Sequence, residues 1–197
     1  MTTSRIVLPE RVTGPDGLVL RRWLGSDAAE LGQAILESAE HLRPWMAWIA
    51  EEPLPLDPRK AMIDEWERDW AQGGDVVLGV FLDGRIAGGC GLHRRIGADG
   101  LEIGYWTHAA FLRRGVATRV AHALTDAGLA LAGITRVEIH HDKANQASAG
   151  VPRGLGFEWL GEWRREPVAP ADTEVEWCWR MDKETWEARE AMSHPGR

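Results

Sequence analysis

The sequence predicts a single α/β domain (α+β in its segregation of strands), and three observations carry that prediction. Two short apolar runs, Val76–Leu82 and Arg85–Leu92, flank Asp83-Gly84, a strong two-residue hairpin signal. After Phe111 the period of apolar residues changes to helical spacing, with Val116, Val120, Leu124, Ala127 and Leu131 on one stripe. Near the C-terminal end strict alternation returns in Val175, Trp177, Trp179 and Met181.

The remaining elements follow in order. Residues 1–16 read as an arm, closed by the turn signal Gly14-Pro15-Asp16-Gly17. Leu18–Leu24 reads as a strand. Ser26 and Asp27 are suitable N-caps for a helix through Ser38, whose inner face holds Ala28, Leu31, Ile35 and Ala39. The segment His41–Ile49 is rich in aromatics and predicts one or two helical turns after Pro44. Beyond the prolines of 53–58, Met62, Trp66 and Trp70 mark a further helix. Leu101–Thr107 and Arg136–His140 are strands, with a helix between them that Gly133 ends. Asn145 predicts the cap of a short helix ending near Gly156. The last strands span residues 157–165 and 174–181, and residues 183–197 read as a polar helix and tail, leaving 17–182 as the domain proper.

Composition bounds the function. The chain has 197 residues, 44% hydrophobic and 27% charged, which suits one domain with a sizeable core. No apolar run reaches the roughly 20 residues that span a bilayer, and the first residues lack a signal-peptide core, so a cytoplasmic protein without a membrane partner is expected. The net charge of −7 argues against a nucleic-acid partner. Cys90 and Cys178 lie in apolar strand-like runs and read as free buried thiols. No Cys/His spacing resembles a zinc site, so no metal is expected. Eleven tryptophans stand against one tyrosine. Trp45, Trp48, Trp163, Trp177 and Trp179 are candidate walls of an acceptor pocket, with core packing the alternative for each.

Two constellations carry chemistry. Arg113-Arg114-Gly115-Val116-Ala117-Thr118 sits between a strand and a helix start. Small residues there let backbone N–H groups and the helix dipole face an anion, and two arginines add fixed positive charge. A solvated basic helix start is the competing explanation. The second is Asn145-Gln-Ala-Ser148 followed by Gly156-Phe157. Asn145 and Ser148 also read as an ordinary cap and first-turn hydroxyl.

In order, the strand Glu102-Ile-Gly-Tyr-Trp106, the Arg-Arg-Gly-Val-Ala-Thr turn, Asn-x-x-Ser and Gly-Phe resemble the GNAT acetyltransferase superfamily. The pattern, with His41-Leu-Arg-Pro-Trp-Met-Ala-Trp48, is most similar to ribosomal-protein N-terminal acetyltransferases of the RimJ/RimL type. The resemblance runs from about Leu18 to Met181. It implies a central twisted sheet of about seven strands, mixed but mostly antiparallel, with helices on both faces. It further implies acetyl-CoA as donor and no metal. Backbone N–H groups of Arg113 to Thr118 would hold the pyrophosphate. Backbone of Ile103, Gly104 and Tyr105 would pair with the pantetheine arm like an added strand. Asn145 would bind the pantetheine region, and Ser148 would lie at the thioester sulfur. The acceptor would be a protein N-terminus or a small amine, such as an aminoacyl compound or an amine antibiotic. A homodimer would be compatible with the family.

Two positions depart from the family pattern. Leu112 stands where the phosphate turn usually opens with Gln or Arg. Pro152 stands where many members place a tyrosine that reprotonates the leaving thiolate, which leaves Ser148 for that role. The amine must arrive neutral. An α-amine, with a pKa of about 8, loses its proton far more readily than a lysine, at about 10.4. Glu102 is the leading base, acting directly or through water, with ion pairing or substrate orientation as the alternative role. His93, His108, His140 and His141 are weaker candidates. A non-catalytic acyl-CoA binder, a sensor or scaffold, is the reading of another class.

Overall fold

The computed structural model describes residues 10–14 and 16–193; most of the predicted arm, Pro15 of its turn, and the last four residues lie outside them. Strands β1 (Arg11–Thr13) and β2 (Leu18–Arg22) precede helices α1 (Ala28–Leu42) and α2 (Leu56–Ala71). Strands β3 (Val76–Leu82), β4 (Arg85–His93) and β5 (Gly100–Thr107) lead into α3 (Val116–Leu129). Then come β6 (Arg136–Asp142), α4 (Gln146–Leu155), β7 (Glu158–Arg164), β8 (Val175–Asp182) and α5 (Lys183–Ser193). Among the described residues the sheet has eight strands in the order β1-β2-β3-β4-β5-β6-β8-β7, one more than the sequence suggests. The addition is β1, three residues from the segment read as an arm, which pair antiparallel with β2. So short a strand carries no period-2 signal of its own.

Local chemistry accounts for the elements that frame the site. Asp83 and Gly84 both adopt positive φ, 52° and 77°, as a tight hairpin turn requires. Helix α1 starts where the Asp27 carboxylate accepts from Leu24 N–H (2.8 Å) and pairs twice with Arg21 (2.7 and 3.0 Å). Asp27 therefore fixes the turn before the helix rather than capping its first N–H groups. The aromatic segment after Pro44 contains a short 3-10 helix, Ala47–Glu51.

Helices cover both faces. On one, α3, α4 and α5 pack on Leu78, Val80, Leu101, Ile103, Val137 and Ile139. On the other, α1 and α2 bury Leu31, Ile35 and Ile63 against Trp23, Phe81 and Ile86. Period 2 in β5 divides between them. Leu101, Ile103 and Tyr105 belong to the α3 face, and Trp106 packs with the α1 side. Cys90 and Cys178 are free and buried. No helix among the described residues is long and apolar enough to cross a membrane.

Candidate active site

The site begins at a fork in the sheet. β5 and β6 form its parallel pair, and their pairing covers only Gly100–Glu102 against Arg136–Glu138. β5 then follows β4, its antiparallel partner from Glu102 to Thr107. β6 follows β8, its partner along its whole length. Each strand stays with its fully paired neighbour, so the two part after Glu102. From Ile103 onward no strand among the described residues lies beside one edge of β5, and its N–H and C=O groups are available to an extended ligand.

A cavity of about 650 Å³ opens at the fork. Glu102, Ile103, Gly104, Tyr105, Asn145 and Ser148, all predicted site residues, line it. Asn145 caps α4, its side-chain oxygen accepting from Ser148 N–H at 3.1 Å. That cap fixes Ser148 in the first turn, where its hydroxyl shares a hydrogen bond with the Tyr105 phenol at 3.1 Å. Tyr105 was expected to contribute backbone alone. Its ring instead reaches across from the strand to the hydroxyl, next to the helix in which Pro152 leaves no phenol. Burial pushes the Tyr105 pKa up to about 12, against the opposing effect of the Ser148 hydrogen bond, so the phenol stays protonated.

On the other face of β5, Glu102 is largely buried and lies 3.5 Å from Arg95 Nε. His93 of β4 is its register partner. The His93 Nδ1–H donates to Asp75 at 2.6 Å, which leaves Nε2 facing away from Asp75. Asp75 itself is desolvated, yet hydrogen bonds from Arg94 N–H and His93 hold its carboxyl below the ordinary value. The absent side chain of Gly104 makes room for this ring: a Cβ there would stand 3.0 Å from His93 Nε2.

The predicted phosphate turn, Arg113–Thr118, lies beyond β5. Arg113 and Gly115 both take left-handed backbone, φ 59° and 70°, with Gly115 at the N-cap of α3. Alternation of this kind curls N–H groups into a concave anion nest. Arg119 N–H closes the first helical turn on Gly115 O at 3.1 Å, so the N–H groups of Val116, Ala117 and Thr118 precede the helical ladder. Leu112, the departure from the family pattern, is exposed and extended. Arg114 stacks on Phe111 at 5.2 Å and lines a second concavity with Gly115, Thr118, Asp16 and Asp83.

The tryptophans divide. Trp45 and Trp48 line the cavity, and Trp48 meets Trp106 with ring centroids 6.2 Å apart. Trp163, Trp177 and Trp179 are not among its lining residues. Trp163 is exposed on the edge strand β7, Trp177 donates to Glu162 (2.9 Å), and Trp179 is buried. Alternation had shown which β8 residues share a face, but not that this face turns toward α4. Sequence reasoning missed Trp106, Met46, Glu51, Arg165 and Glu176 as cavity residues. Of these, only Trp106 carried a signal, since period 2 places it with Glu102.

The remaining histidines have structural partners. His141 donates from Nδ1 to Asp142 O (2.8 Å) and accepts from Trp179 Nε1–H (2.9 Å); burial lowers its pKa and keeps it neutral. His108 bridges Glu37 and Ala110 N–H. For His140, burial opposes charge, but hydrogen bonds with Cys178, Glu138 and Glu176 outweigh it and raise the pKa. The same groups favour its protonated ring, which makes it a poor acceptor for the amine proton.

Comparison with known proteins agrees with this geometry. Residues 17–158 match the family model described as the acetyltransferase (GNAT) domain. YdaF of Bacillus subtilis (strain 168), described as a candidate ribosomal N-acetyltransferase, is 29% identical over 133 residues, 66% of this chain and 72% of YdaF. The structure of RimL, a ribosomal L7/L12 α-N-protein acetyltransferase with coenzyme A bound, superposes with a TM-score of 0.80 at 20% identity. It covers 89% of this chain and 99% of RimL. The microcin C7 self-immunity acetyltransferase MccE, solved with acetyl-CoA and AMP, gives 0.77 at 20% identity over 87% of this chain and 98% of its own. The chain belongs to the GNAT acetyltransferase family, N-acetyltransferases that take the acetyl group from acetyl-CoA without a metal.

Proposed function

We propose that this protein acetylates the α-amine of a protein N-terminus, in the cytoplasm, with the donor laid along the open edge of β5. The observation that carries the reading is the fork after Glu102, with the Tyr105–Ser148 pair on one face and Glu102 on the other. A donor in the fork is thereby reached by acid and base from opposite sides. Backbone of Ile103, Gly104 and Tyr105 pairs with the pantetheine arm, and Asn145 contacts it. The turn Arg113–Thr118 holds the pyrophosphate.

The amine attacks the thioester carbonyl, a C–N bond forms, and the C–S bond breaks. Proximity within the fork and hydrogen bonds from β5 N–H to the oxyanion supply most of the acceleration. Ser148 gives its proton to the leaving thiolate and takes one from the Tyr105 phenol, which is reprotonated from solvent in the cavity. Glu102 takes the ammonium proton, directly or through water. His93, oriented by Asp75, stands beside it as a second acceptor of that proton.

Three features support an α-amine. The cavity wall carries the carboxylates of Glu51, Glu52, Glu102, Asp142, Asp172 and Glu176 against the guanidiniums of Arg59, Arg95 and Arg165, an acidic balance that suits a cationic incoming amine. An α-amine asks less of the base than a lysine. The RimL and YdaF names also point to ribosomal acceptors. The likeness to MccE keeps a small aminoacyl compound as the second reading. An acceptor screen with acetyl-CoA decides between them, reading acetylated product by mass across N-terminal peptides, aminoacyl nucleotides and amine antibiotics. Turnover confined to peptides with a free N-terminus is expected. Turnover confined to small amines overturns the acceptor assignment, and tight CoA binding without turnover on any amine favours a sensor or scaffold.

A further inference from the structure

On the face of the sheet that carries Glu102, β6 and β8 bring three metal-binding side chains together. The antiparallel register sets His140 opposite Cys178 and Glu138 opposite Arg180. His140 Nε2 lies 2.9 Å from Glu138 Oε2 and 3.1 Å from Cys178 Sγ, and Sγ lies 3.5 Å from the same Oε2. The three atoms form a closed triangle. A tetrahedral zinc ion with bonds of about 2.0–2.3 Å requires ligand atoms roughly 3.3–3.6 Å apart, so the triangle needs to open by only a few tenths of an ångström.

The groups around the triangle are arranged as metal ligands require. Arg180 holds the other carboxylate oxygen, Oε1, through Nε and Nη2 at 3.0 and 2.8 Å. Arg136 Nε is 3.4 Å from it. Oε2 therefore remains for an ion. Glu176 lies 3.4 Å from His140 Nδ1 and turns Nε2 toward the triangle. A carboxylate behind the non-ligating nitrogen is the usual support of a metal-bound histidine. The donor set, one imidazole, one thiolate and one carboxylate oxygen, suits zinc better than calcium or magnesium. His140 and Glu176 line the cavity, so a fourth coordination position opens toward it.

We propose that Glu138, His140 and Cys178 form a zinc-class cation site at the root of the fork, and that its occupation inhibits acetyl transfer. Zinc displaces the imidazolium and thiol protons to solvent, with no change of oxidation state. The location gives the inhibition its basis: Glu138 pairs in register with Glu102, so the ion sits one strand from the proposed base. The inhibitory role rests on the acetyltransferase reading, and the binding does not.

The test uses the full chain freed of metal with EDTA, dialysed, and titrated with Co²⁺ alone. One cobalt per chain is expected, with a thiolate-to-cobalt charge-transfer band that Zn²⁺ displaces. Cys178→Ser should abolish the band, and Glu138→Gln should weaken binding at least ~10-fold. A second cluster, His122, Asp126 and Glu190, lies on the surface and lacks sulfur. His122→Ala must leave the band unchanged. No stoichiometric binding, a band that survives Cys178→Ser, or binding lost in His122→Ala overturns the site. In the mass-detected assay, Zn²⁺ should suppress product in the wild type and spare Cys178→Ser, with EDTA restoring activity. Stoichiometric zinc without inhibition overturns the regulatory role. A chain inactive on every amine refutes the enzyme reading and leaves the cobalt result standing.

Discussion

The proposed donor half and the proposed acceptor half of this molecule are built differently. The donor half uses backbone: the open edge of β5, the N–H groups at the start of α3, and the cap of α4. The helix start and the cap are local in sequence, whereas the open edge is set by the whole sheet. The acceptor half uses side chains from α1, the turn and 3-10 segment after it, α2 and the sheet, including Trp45, Trp48, Arg59 and Trp106. Backbone recognition tolerates change in most side chains but demands particular glycines and caps. Side-chain recognition can drift in specificity while the fold stays constant. A donor site can thus be shared by relatives that differ in acceptor.

Variants of the two halves should therefore fail differently. The largest effect is expected from Gly104→Ile, which places a side chain against His93 and over the open edge of β5. kcat/KM should fall ~100-fold or more for every acceptor, with circular dichroism unchanged, because a displacement near 1 Å costs that much. A loss confined to one acceptor would break the distinction between halves.

Glu102→Gln should lower kcat/KM ~100-fold with little change in acetyl-CoA affinity, as the loss of a general base does. A fall under ~10-fold, about 1.4 kcal/mol, removes Glu102 from that role and leaves His93 as the base. Tyr105→Phe and Ser148→Ala should each lower kcat ~10-fold, and the double variant should lose little more, since paired groups do not act additively. Full additivity in single-turnover rates would separate the phenol from the hydroxyl.

Trp48→Ala should raise the acceptor KM several-fold, up to ~10-fold, while calorimetry finds acetyl-CoA binding intact. Weakened donor binding would mean that the cleft wall serves both halves.

The smallest effect concerns stability on the acceptor side. Burial opposes ionisation of Asp27, but the hydrogen bonds from Arg21 and Leu24 N–H outweigh it and lower its pKa. A carboxylate with a depressed folded pKa stabilises the protein above its unfolded value, about 3.9, and loses that contribution as pH falls through the folded value. Asp27→Asn should lower the urea midpoint at neutral pH, and the difference from wild type should shrink below about pH 4. A constant difference across that range would assign Asp27 a role other than ion pairing.

The donor half was legible because its signals are short. Asp83-Gly84 announces a hairpin, Gly115 a helix start, and Asn145 a cap, and each needs only neighbouring residues to act. The family pattern then joined Glu102, Arg113–Thr118 and Asn145-x-x-Ser148 into one site, and all but Arg113, Val116 and Ala117 line one of the two cavities. Of the five tryptophans expected to wall an acceptor pocket, Trp45 and Trp48 line the cavity.

By itself, the sequence determined every described strand but β1, the helices, the hairpin turn and the family, because backbone propensity and period act within a few residues. Only the tertiary structure decided where β5 leaves β6, since that follows from β4 and β8 each holding one of them. It also decided that Trp177 and Trp179 turn away from the cavity while Tyr105 reaches Ser148 from 43 residues away in sequence. The meeting of Glu138, His140 and Cys178 has the same origin: strand register is set by the whole sheet, and no local pattern encodes which residues will stand opposite each other.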